Sequence, residues 1–223
     1  MTIYIAHLYY DLMNLYGEIG NIKALKYSLE NSGIKVVIDN LTIKDNIDFN
    51  RYDIIYIGSG TENNQLLVLN DLLRYKEEIK EYIENNKFIL ATGNSIDLFG
   101  KSINKNNALN IFEYTSKTID KRIVGDVIIP YKNIKNKIIG FQNRESFIEN
   151  NKYPLFSEEL GVNYKNFYGT YIIGPLLVRN PEFNKYLTNK IIKNKNKKFK
   201  PKKLDLKLET QAYNKYLETY YGE

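Results

Sequence analysis

The first half of the chain alternates short apolar runs with longer segments of helical periodicity. Short apolar runs rich in β-branched side chains are typical of strands that are buried on both faces. The runs predicted as strands are Ile3 to Leu8, Lys35 to Asp39, Asp53 to Gly58 and Lys87 to Thr92. Helical spacing between them predicts helices over Asn21 to Asn31 and Leu66 to Asn85. Strands that alternate with helices indicate an α/β fold with a central, mostly parallel sheet flanked by helices.

The second half has a different pattern, with shorter strands of alternating polar and apolar residues. The strands predicted there are Leu109 to Lys117, Arg122 to Ile129 and Lys137 to Phe141. Tyr168 to Leu177 is a further apolar stretch, and Pro181 to Lys193 is predicted as a helix because proline is favoured in a first helical turn. An amphipathic helix is predicted over Leu204 to Tyr221. Its expected apolar face comprises Leu208, Ala212, Tyr216 and Tyr220.

Composition limits the class of protein. Hydrophobic residues make up 43% of the 223 residues, enough for the core of one domain, and no apolar run is long enough to span a membrane. The N-terminus lacks the basic segment of a secretory signal, so we expect a soluble, cytoplasmic protein. The chain has no cysteine, and its acidic residues are not grouped at the spacing of metal ligands. We therefore predict no metal site and no cofactor.

The net charge of +6 comes from one segment. Residues 193 to 203 contain seven lysines and no acid, and without them the chain has a net charge of about −1. The body of the protein is therefore not a basic surface, which makes nucleic acid an unlikely partner on sequence grounds. We interpret the segment as a solvated, lysine-rich linker before the last helix. The alternative is contact with an acidic partner, nucleic acid or a membrane surface.

Two predicted strands end in small residues that could form a ligand site. These ends are Gly58-Ser59-Gly60 and Thr92-Gly93-Asn94-Ser95. Ligands of open α/β sheets bind at the carboxyl ends of the strands, where backbone N–H groups of glycine turns can hold a carboxylate or an oxyanion. The same pattern is also that of ordinary strand-to-helix turns, so spacing alone leaves both interpretations open.

Several short motifs follow one another along the chain, namely Leu12 to Asn21, Tyr56 to Gly60, Leu98 to Lys101, Gly125 to Val127, Gly140 to Asn143 and Gly169 to Pro175. In this order they resemble the motifs of the class I glutamine amidotransferases of the cobyric acid synthase type, and among these the glutaminase subunits of lipid II isoglutaminyl synthases. The resemblance implies a flavodoxin-like class I glutamine amidotransferase fold over residues 1 to 192. We expect the lysine-rich linker to follow at residues 193 to 203, and then a C-terminal helix over residues 204 to 223 that packs on the same domain.

The resemblance also implies a chemistry that this chain lacks. In that family a cysteine in the turn after a strand attacks the glutamine amide, a histidine activates it, and the ammonia goes to a synthetase partner. Here the matching nucleophile position is Gly93 and the matching base position is Ile173. Asp97 replaces a glutamine of the family's turn, and Gln142 and Arg144 replace a glutamate and a histidine of another motif. The loop after that motif is predicted to be shortened.

Other residues are candidates for binding or for residual chemistry. The candidate ligand-binding residues are Gly58, Ser59, Gly60, Asn94, Ser95, Arg122 and Asn143. Arg122 could equally be a surface charge at a strand end. Ser95 and Thr92 are hydroxyls beside the lost nucleophile, but a hydroxyl needs a base. His7, the single histidine, is interpreted as a structural hydrogen-bonding residue. The polar residues of the first motif (Asn14, Tyr16 and Asn21) are expected to order the loop through side-chain-to-backbone hydrogen bonds.

Three functions remain open on the sequence. The first is a catalytically degenerate amidotransferase-like subunit that scaffolds or regulates a Mur-ligase-like, amide-forming synthetase in cell-wall precursor amidation. The second is a small-molecule module that binds a glutamine-like ligand without cleaving it. The third is a residual amidohydrolase that uses Ser95 or Thr92.

Overall fold

The computed structural model describes residues 1 to 222, which form eleven strands and six α-helices. The strands are β1 (Thr2–Leu8), β2 (Lys35–Leu41), β3 (Ile54–Ile57), β4 (Phe88–Thr92), β5 (Ser102–Ile103), β6 (Asn106–Asn107), β7 (Thr115–Ile129), β8 (Ile138–Glu149), β9 (Pro154–Leu155), β10 (Ser157–Tyr164) and β11 (Phe167–Thr170). The helices are α1 (Ile19–Asn31), α2 (Glu62–Leu72), α3 (Lys76–Glu84), α4 (Leu176–Arg179), α5 (Pro181–Lys195) and α6 (Lys207–Tyr221).

A seven-stranded sheet in the order β2-β1-β3-β4-β11-β10-β9 forms the centre of the fold. Its first five strands are parallel, and β10 pairs antiparallel with both β11 and β9. The parallel part has the flavodoxin-like order, in which the chain reverses direction across the sheet between β1 and β3. The predicted α/β fold, with a mostly parallel sheet flanked by helices, is confirmed.

Both faces of this sheet are covered, which explains why its strands are apolar throughout. Alternate residues of β1 point to opposite faces: Ile3 and Ile5 pack with α1 and α5, whereas Ala6 and Leu8 pack with α2 and α3. Each helix therefore buries one apolar stripe against a strand surface, and the strands need no polar face.

A second sheet, β6-β5-β7-β8, lies beside the first and consists mainly of the long hairpin β7–β8. The prediction split this hairpin into the shorter strands Arg122 to Ile129 and Lys137 to Phe141, which is wrong in extent. Many hairpin side chains are exposed or half-buried, so the charged residues in it mask the strand pattern. A backbone bridge between Phe141 and Ile173 attaches β8 to the main body.

The predicted strand Leu109 to Lys117 is also wrong, because β7 begins only at Thr115. The preceding apolar residues belong to an irregular loop that is nevertheless buried. Leu109, Ile111 and Phe112 donate backbone hydrogen bonds to carbonyls of Leu98 and Phe99 in the turn after β4. These contacts satisfy the backbone without a sheet, which a local sequence pattern cannot distinguish from a strand.

Two predicted segments are interrupted in the structure. The single helix expected over Leu66 to Asn85 begins earlier, at Glu62, and is divided into α2 and α3 by a 3₁₀ turn at Leu73–Tyr75. The apolar stretch Tyr168 to Leu177 contains β11, a turn with Gly174 at φ +86°, and the start of α4. Both stretches have buried apolar residues on either side of the interruption, so their sequence does not show where the chain changes direction.

The C-terminal helix packs on a different face from the one predicted. Tyr213 is buried and donates from its hydroxyl to the Lys137 carbonyl at 2.8 Å, while the Arg179 guanidinium lies 5.3 Å from the centre of the Tyr216 ring. Leu208 and Tyr220, expected on the apolar face, are 75% and 70% exposed. The helix contacts the body along a narrow line, so only part of its apolar surface is covered.

The lysine-rich segment lies against the body at several points. It begins inside α5, where Lys195 pairs with the buried carboxylate of Asp53 at 2.8 Å. Further along, the Lys202 N–H donates to the Ser32 carbonyl at 3.1 Å, and Phe199 packs against the core. Among the described residues, no helix has the length and apolar character needed to cross a membrane.

Candidate functional site

The candidate site is a cavity of about 400 Å³ at the carboxyl ends of β1, β3 and β4. One wall comes from loops that follow these strands, and the other comes from the β7–β8 hairpin. This volume is within the range of small-molecule sites. Five of the predicted binding residues line it, namely Ser59, Gly60, Asn94, Arg122 and Asn143. Gly58 and Ser95 are not among its lining residues.

Gly93 forms the turn between β4 and the following 3₁₀ helix, Gly93–Phe99, in a left-handed conformation with φ +67°. Strand-to-helix turns of this kind present the residue at their apex to a site at the sheet edge. Gly93 has no side chain, and a Cβ placed on it would overlap the Ser59 side chain and lie 3.1 Å from Ile173 Cγ2. The space that a nucleophilic side chain would enter is therefore filled by Ser59 and Ile173.

Ile173 provides no proton-transfer group at this position. Its side chain is 2% exposed, and its backbone exchanges two hydrogen bonds with Phe141, at 2.8 and 3.3 Å. The role of Ile173 in the fold is to join the main sheet to the hairpin. Neither Gly93 nor Ile173 therefore has a side chain that could act as a nucleophile or a base.

The loop Gly58-Ser59-Gly60 is tied to the turn after β4 by the side chain of Asn94. Asn94 Oδ1 accepts from the Gly60 N–H at 3.0 Å and from Ser59 Oγ at 3.3 Å, and Asn94 Nδ2 donates to the Gly60 carbonyl at 2.9 Å. The Asn94 carbonyl in turn accepts from Gln65 Nε2 at 2.6 Å. The two glycine-rich strand ends are therefore joined through one carboxamide.

Arg122 spans the mouth of the cavity between β7 and α2. Its guanidinium contacts Glu62 at 2.7 Å, Glu145 at 2.8 Å and Asn143 Oδ1 at 3.1 Å. Partial burial acts to raise the pKa of Glu62, but the hydrogen bonds that Glu62 makes and the positive charge of Arg122 together outweigh it, so the pKa is lowered. Asn143 also donates to the Tyr16 hydroxyl at 3.1 Å. These contacts link the hairpin to the loops of the main sheet, and two carboxylates neutralise Arg122.

The hydroxyls of Ser95 and Thr92 are both buried and turned away from the cavity. Ser95 Oγ donates to the carbonyls of Ile57 and Thr92, at 3.1 and 2.9 Å. Thr92 Oγ1 hydrogen-bonds to Glu18 and to the Tyr56 hydroxyl. Neither Thr92 nor Glu18 lines the cavity, so this carboxyl–hydroxyl pair has no access to a ligand there. A residual amidohydrolase that uses either hydroxyl has no support in this geometry.

Glu18 is a buried titratable residue that sequence reasoning missed. Its carboxyl accepts from Thr92, from Tyr56 at 3.0 Å and from the Gly174 N–H at 3.2 Å. Burial raises the pKa of Glu18 to about 7, although hydrogen bonds from Thr92, Gly174 and Tyr56 act to lower it. Its place inside the first motif was the available signal, but an acid beside a predicted helix start is usually an exposed one.

Asp97 is the centre of a second buried cluster. It accepts from Ser116 at 2.7 Å, from Ser146 and Gln65 at 2.9 Å, and from the Tyr171 hydroxyl. Burial raises the pKa of Asp97, and these four donors oppose the shift. Because the donors come from α2, β7, β8 and the segment after β11, Asp97 holds the turn after β4 against both sheets.

The remaining polar residues of the first strand and first motif are structural. Burial lowers the pKa of His7 to about 4, so the imidazole is neutral at physiological pH, and its ring lies 5.3 Å from that of Tyr56. Asn14 accepts from the Ile19 N–H at 2.8 Å, and Asn21 accepts from the Leu177 N–H at 2.8 Å. Within residues 1 to 222, no group of three or more histidines or acids is placed to hold a metal ion.

The flavodoxin-like sheet, with its site at the edge formed by β1, β3 and β4, defines a class I glutamine amidotransferase fold. The chain belongs to the CobB/CobQ-like glutamine amidotransferase domain family, whose model matches residues 4 to 181. The crystal structure of a glutamine amidotransferase from Thermotoga maritima has the same fold, with a TM-score of 0.55, 10% identity and coverage of 99% of this chain and 94% of that one.

Two relatives define the branch of the family to which the chain is similar. It is 34% identical, over 86% of its own length and 81% of the relative's, to the lipid II isoglutaminyl synthase (glutamine-hydrolyzing) subunit GatD of Streptococcus pneumoniae R6. It is 30% identical, over 95% of its length and 93% of the relative's, to the same subunit of Staphylococcus aureus N315. The resemblance stated from the motifs is therefore confirmed.

Proposed function

We propose that this protein is a non-catalytic amidotransferase subunit that docks on a Mur-ligase-like, amide-forming synthetase and scaffolds or regulates it in cell-wall precursor amidation. The two relatives are subunits of lipid II isoglutaminyl synthase, which supports both the pathway and a place in a complex. In this proposal the fold and its surfaces are retained, and glutamine is not the nitrogen source.

The observation that carries the proposal is the turn at Gly93. The chain contains no thiol, and Ser59 and Ile173 fill the space that a side chain at position 93 would need. A hydroxyl or amide nearby does not replace the lost pair, because a weak nucleophile needs an adjacent base. Loss of the nucleophile together with closure of its space supports a role without hydrolysis.

The test is reconstitution with the partner. The tagged chain is purified from its native cells, and the proposal requires a stoichiometric ATP-dependent ligase of the Mur type in the complex. Amide formation by that complex is then measured with either glutamine or ammonium as the nitrogen source. We expect product with ammonium and none with glutamine. The Streptococcus pneumoniae subunit with its own partner serves as the glutamine-hydrolysing control.

Three results would overturn the proposal. One is glutamine-dependent amide formation by the complex, and another is release of glutamate from glutamine by the isolated chain. The third is the absence of any amide-forming ligase from repeated purifications under conditions in which the control pair is recovered intact.

The cavity supports a second candidate function, a module that binds a small polar molecule. Its walls combine a guanidinium, carboxylates and carboxamides from Arg122, Glu62, Glu145 and Asn143 around about 400 Å³. Titration calorimetry of the isolated chain with a panel of amino acids tests this function. Heat with one amino acid, lost in Asn143→Ala, would support it, and no heat at millimolar concentration would remove it.

A further inference from the structure

The side chain of Asn94 lies at the point of the cavity where a ligand would meet the backbone. It contacts both polar groups of the Gly60 backbone: its oxygen accepts from the N–H at 3.0 Å and its nitrogen donates to the carbonyl at 2.9 Å. The carboxamide therefore bridges the two successive peptide groups on either side of the Gly60 Cα atom. Both residues line the cavity, so the pair is at the surface of the site rather than beneath it.

A free backbone N–H in such a turn is the group that would hold a carbonyl or carboxylate oxygen of a ligand. Here the Gly60 N–H already has an acceptor within the chain. A ligand that uses this donor must first displace the Asn94 side chain. The displaced carboxamide then loses its hydrogen bonds to Gly60. Since an unpaired polar group at a partly buried site is costly, the internal contact competes directly with the ligand.

Two further contacts hold the Asn94 carboxamide in place before any ligand arrives. Ser59 Oγ donates to Asn94 Oδ1 at 3.3 Å, and Gln65 Nε2 bridges the Asn94 carbonyl and the buried Asp97 at 2.6 and 2.9 Å. The residue is therefore fixed at both its side chain and its backbone. A free ligand must therefore compete with a partner that the fold already holds in position.

We infer that Asn94 is an intramolecular ligand of the Gly60 backbone, which it closes to free ligands with a side-chain amide or carboxylate. Asn94 thereby determines the specificity of the cavity. The part that stays accessible lies between Arg122, Asn143 and the hairpin. The inference concerns the isolated chain and does not depend on docking to a synthetase.

The test compares L-glutamine binding to the wild-type chain and to Asn94→Ala, by calorimetry and by the NMR shift of the Gly60 amide. Removal of Asn94 frees the Gly60 N–H, so we expect Asn94→Ala to bind at least about tenfold more tightly than the wild type, the equivalent of one hydrogen bond, with a shift of the Gly60 amide. Asn106→Ala is the matched control, because it makes the same truncation in a residue that lines the same cavity without contacting Gly60. We expect no gain in that variant.

No gain in Asn94→Ala over the wild type would overturn the inference, whether both proteins bind glutamine or neither does. A shift of the Gly60 amide in the wild type with glutamine would also overturn it. If Asn94→Ala does not fold, Asn94→Ser is used instead, because it also removes the carboxamide from Gly60. Hydrogen exchange of the wild-type chain adds an independent check, since the inference requires the Gly60 amide to be protected and fast exchange would contradict it.

Discussion

Replacement of Glu18 by glutamine would separate the contribution of its buried carboxyl to the pH dependence of stability from the contributions of the other titrating groups. Burial raises the pKa of Glu18 from an ordinary 4.5 to about 7 in the folded protein. Between these values the folded state binds more protons than the unfolded state. The stability contributed by this proton is therefore complete below about pH 4.5 and is lost as the pH rises through 7.

The size of the effect follows from the two pKa values. Over the range from about pH 5 to about pH 8, linkage with these values lowers the free energy of unfolding by roughly 2 to 3 kcal/mol through Glu18 alone. Glutamine has nearly the same shape but no titration in this range. The difference in the free energy of unfolding between wild type and Glu18→Gln should therefore change by roughly 2 to 3 kcal/mol from pH 5 to pH 8, in favour of the variant at high pH.

Urea unfolding of both proteins at several pH values measures this difference, because the contributions of all other groups cancel. Glu30→Gln is the matched control, since it removes an exposed carboxyl from α1, the helix that Glu18 precedes. The difference for Glu18→Gln is compared with that for Glu30→Gln at each pH. A constant difference for Glu18→Gln would refute the argument, because it would mean that the Glu18 carboxyl does not stay protonated in the fold.

Three substitutions test the remaining structural claims through the free energy of unfolding. Asp97→Ala removes the acceptor that four donors share, among them the buried Ser116 and Tyr171, and should cost about 3 kcal/mol or more. Asp120→Ala on the exposed hairpin should change little, and equal costs would contradict the cluster. Tyr213→Ala should cost roughly 3 kcal/mol because Tyr213 is buried, and Leu208→Ala less than about 0.5 kcal/mol because Leu208 is exposed. The reverse order would mean that α6 packs on the face predicted from the sequence. Gly93→Ala should cost about 2 kcal/mol or more, because residue 93 has a left-handed φ and the new Cβ would overlap Ser59. Adding Ser59→Gly to Gly93→Ala should recover part of that cost, whereas Ser59→Gly alone should not stabilise the wild type.

The sequence was most informative where one local pattern has one structural meaning. The strands β1 to β4 were located correctly because continuous apolar runs between helices are buried on both faces of a parallel sheet. The motifs then led to the family, and the resemblance matched Gly93 and Ile173 to the family's nucleophile and base positions. The absence of cysteine is a property of composition and needed no structure.

The sequence was less informative where burial comes from distant residues. The segment around Leu109 and Phe112 looks like a strand because it is apolar, but its backbone is satisfied by the turn after β4. The apolar face of α6 was misplaced because what α6 packs against, at Lys137 and Arg179, is distant in sequence. Helical periodicity shows that a face exists, but the packing partner decides which residues are covered.

The α/β architecture, the residue types at positions 93 and 173 and the group of glycines at two strand ends were thus determined by the sequence itself, since each depends on residue type and local spacing. Only the tertiary structure decided what occupies the site. Ser59 fills the space at Gly93, Asn94 pairs with Gly60, and Glu18 is buried against Thr92, although these partners are separated by 34 or more positions along the chain. Such contacts form because folding brings the ends of β1, β3 and β4 to one edge of the sheet. The neighbours that set side-chain packing and pKa values there are distant in sequence, so the order of residues along the chain does not reveal them.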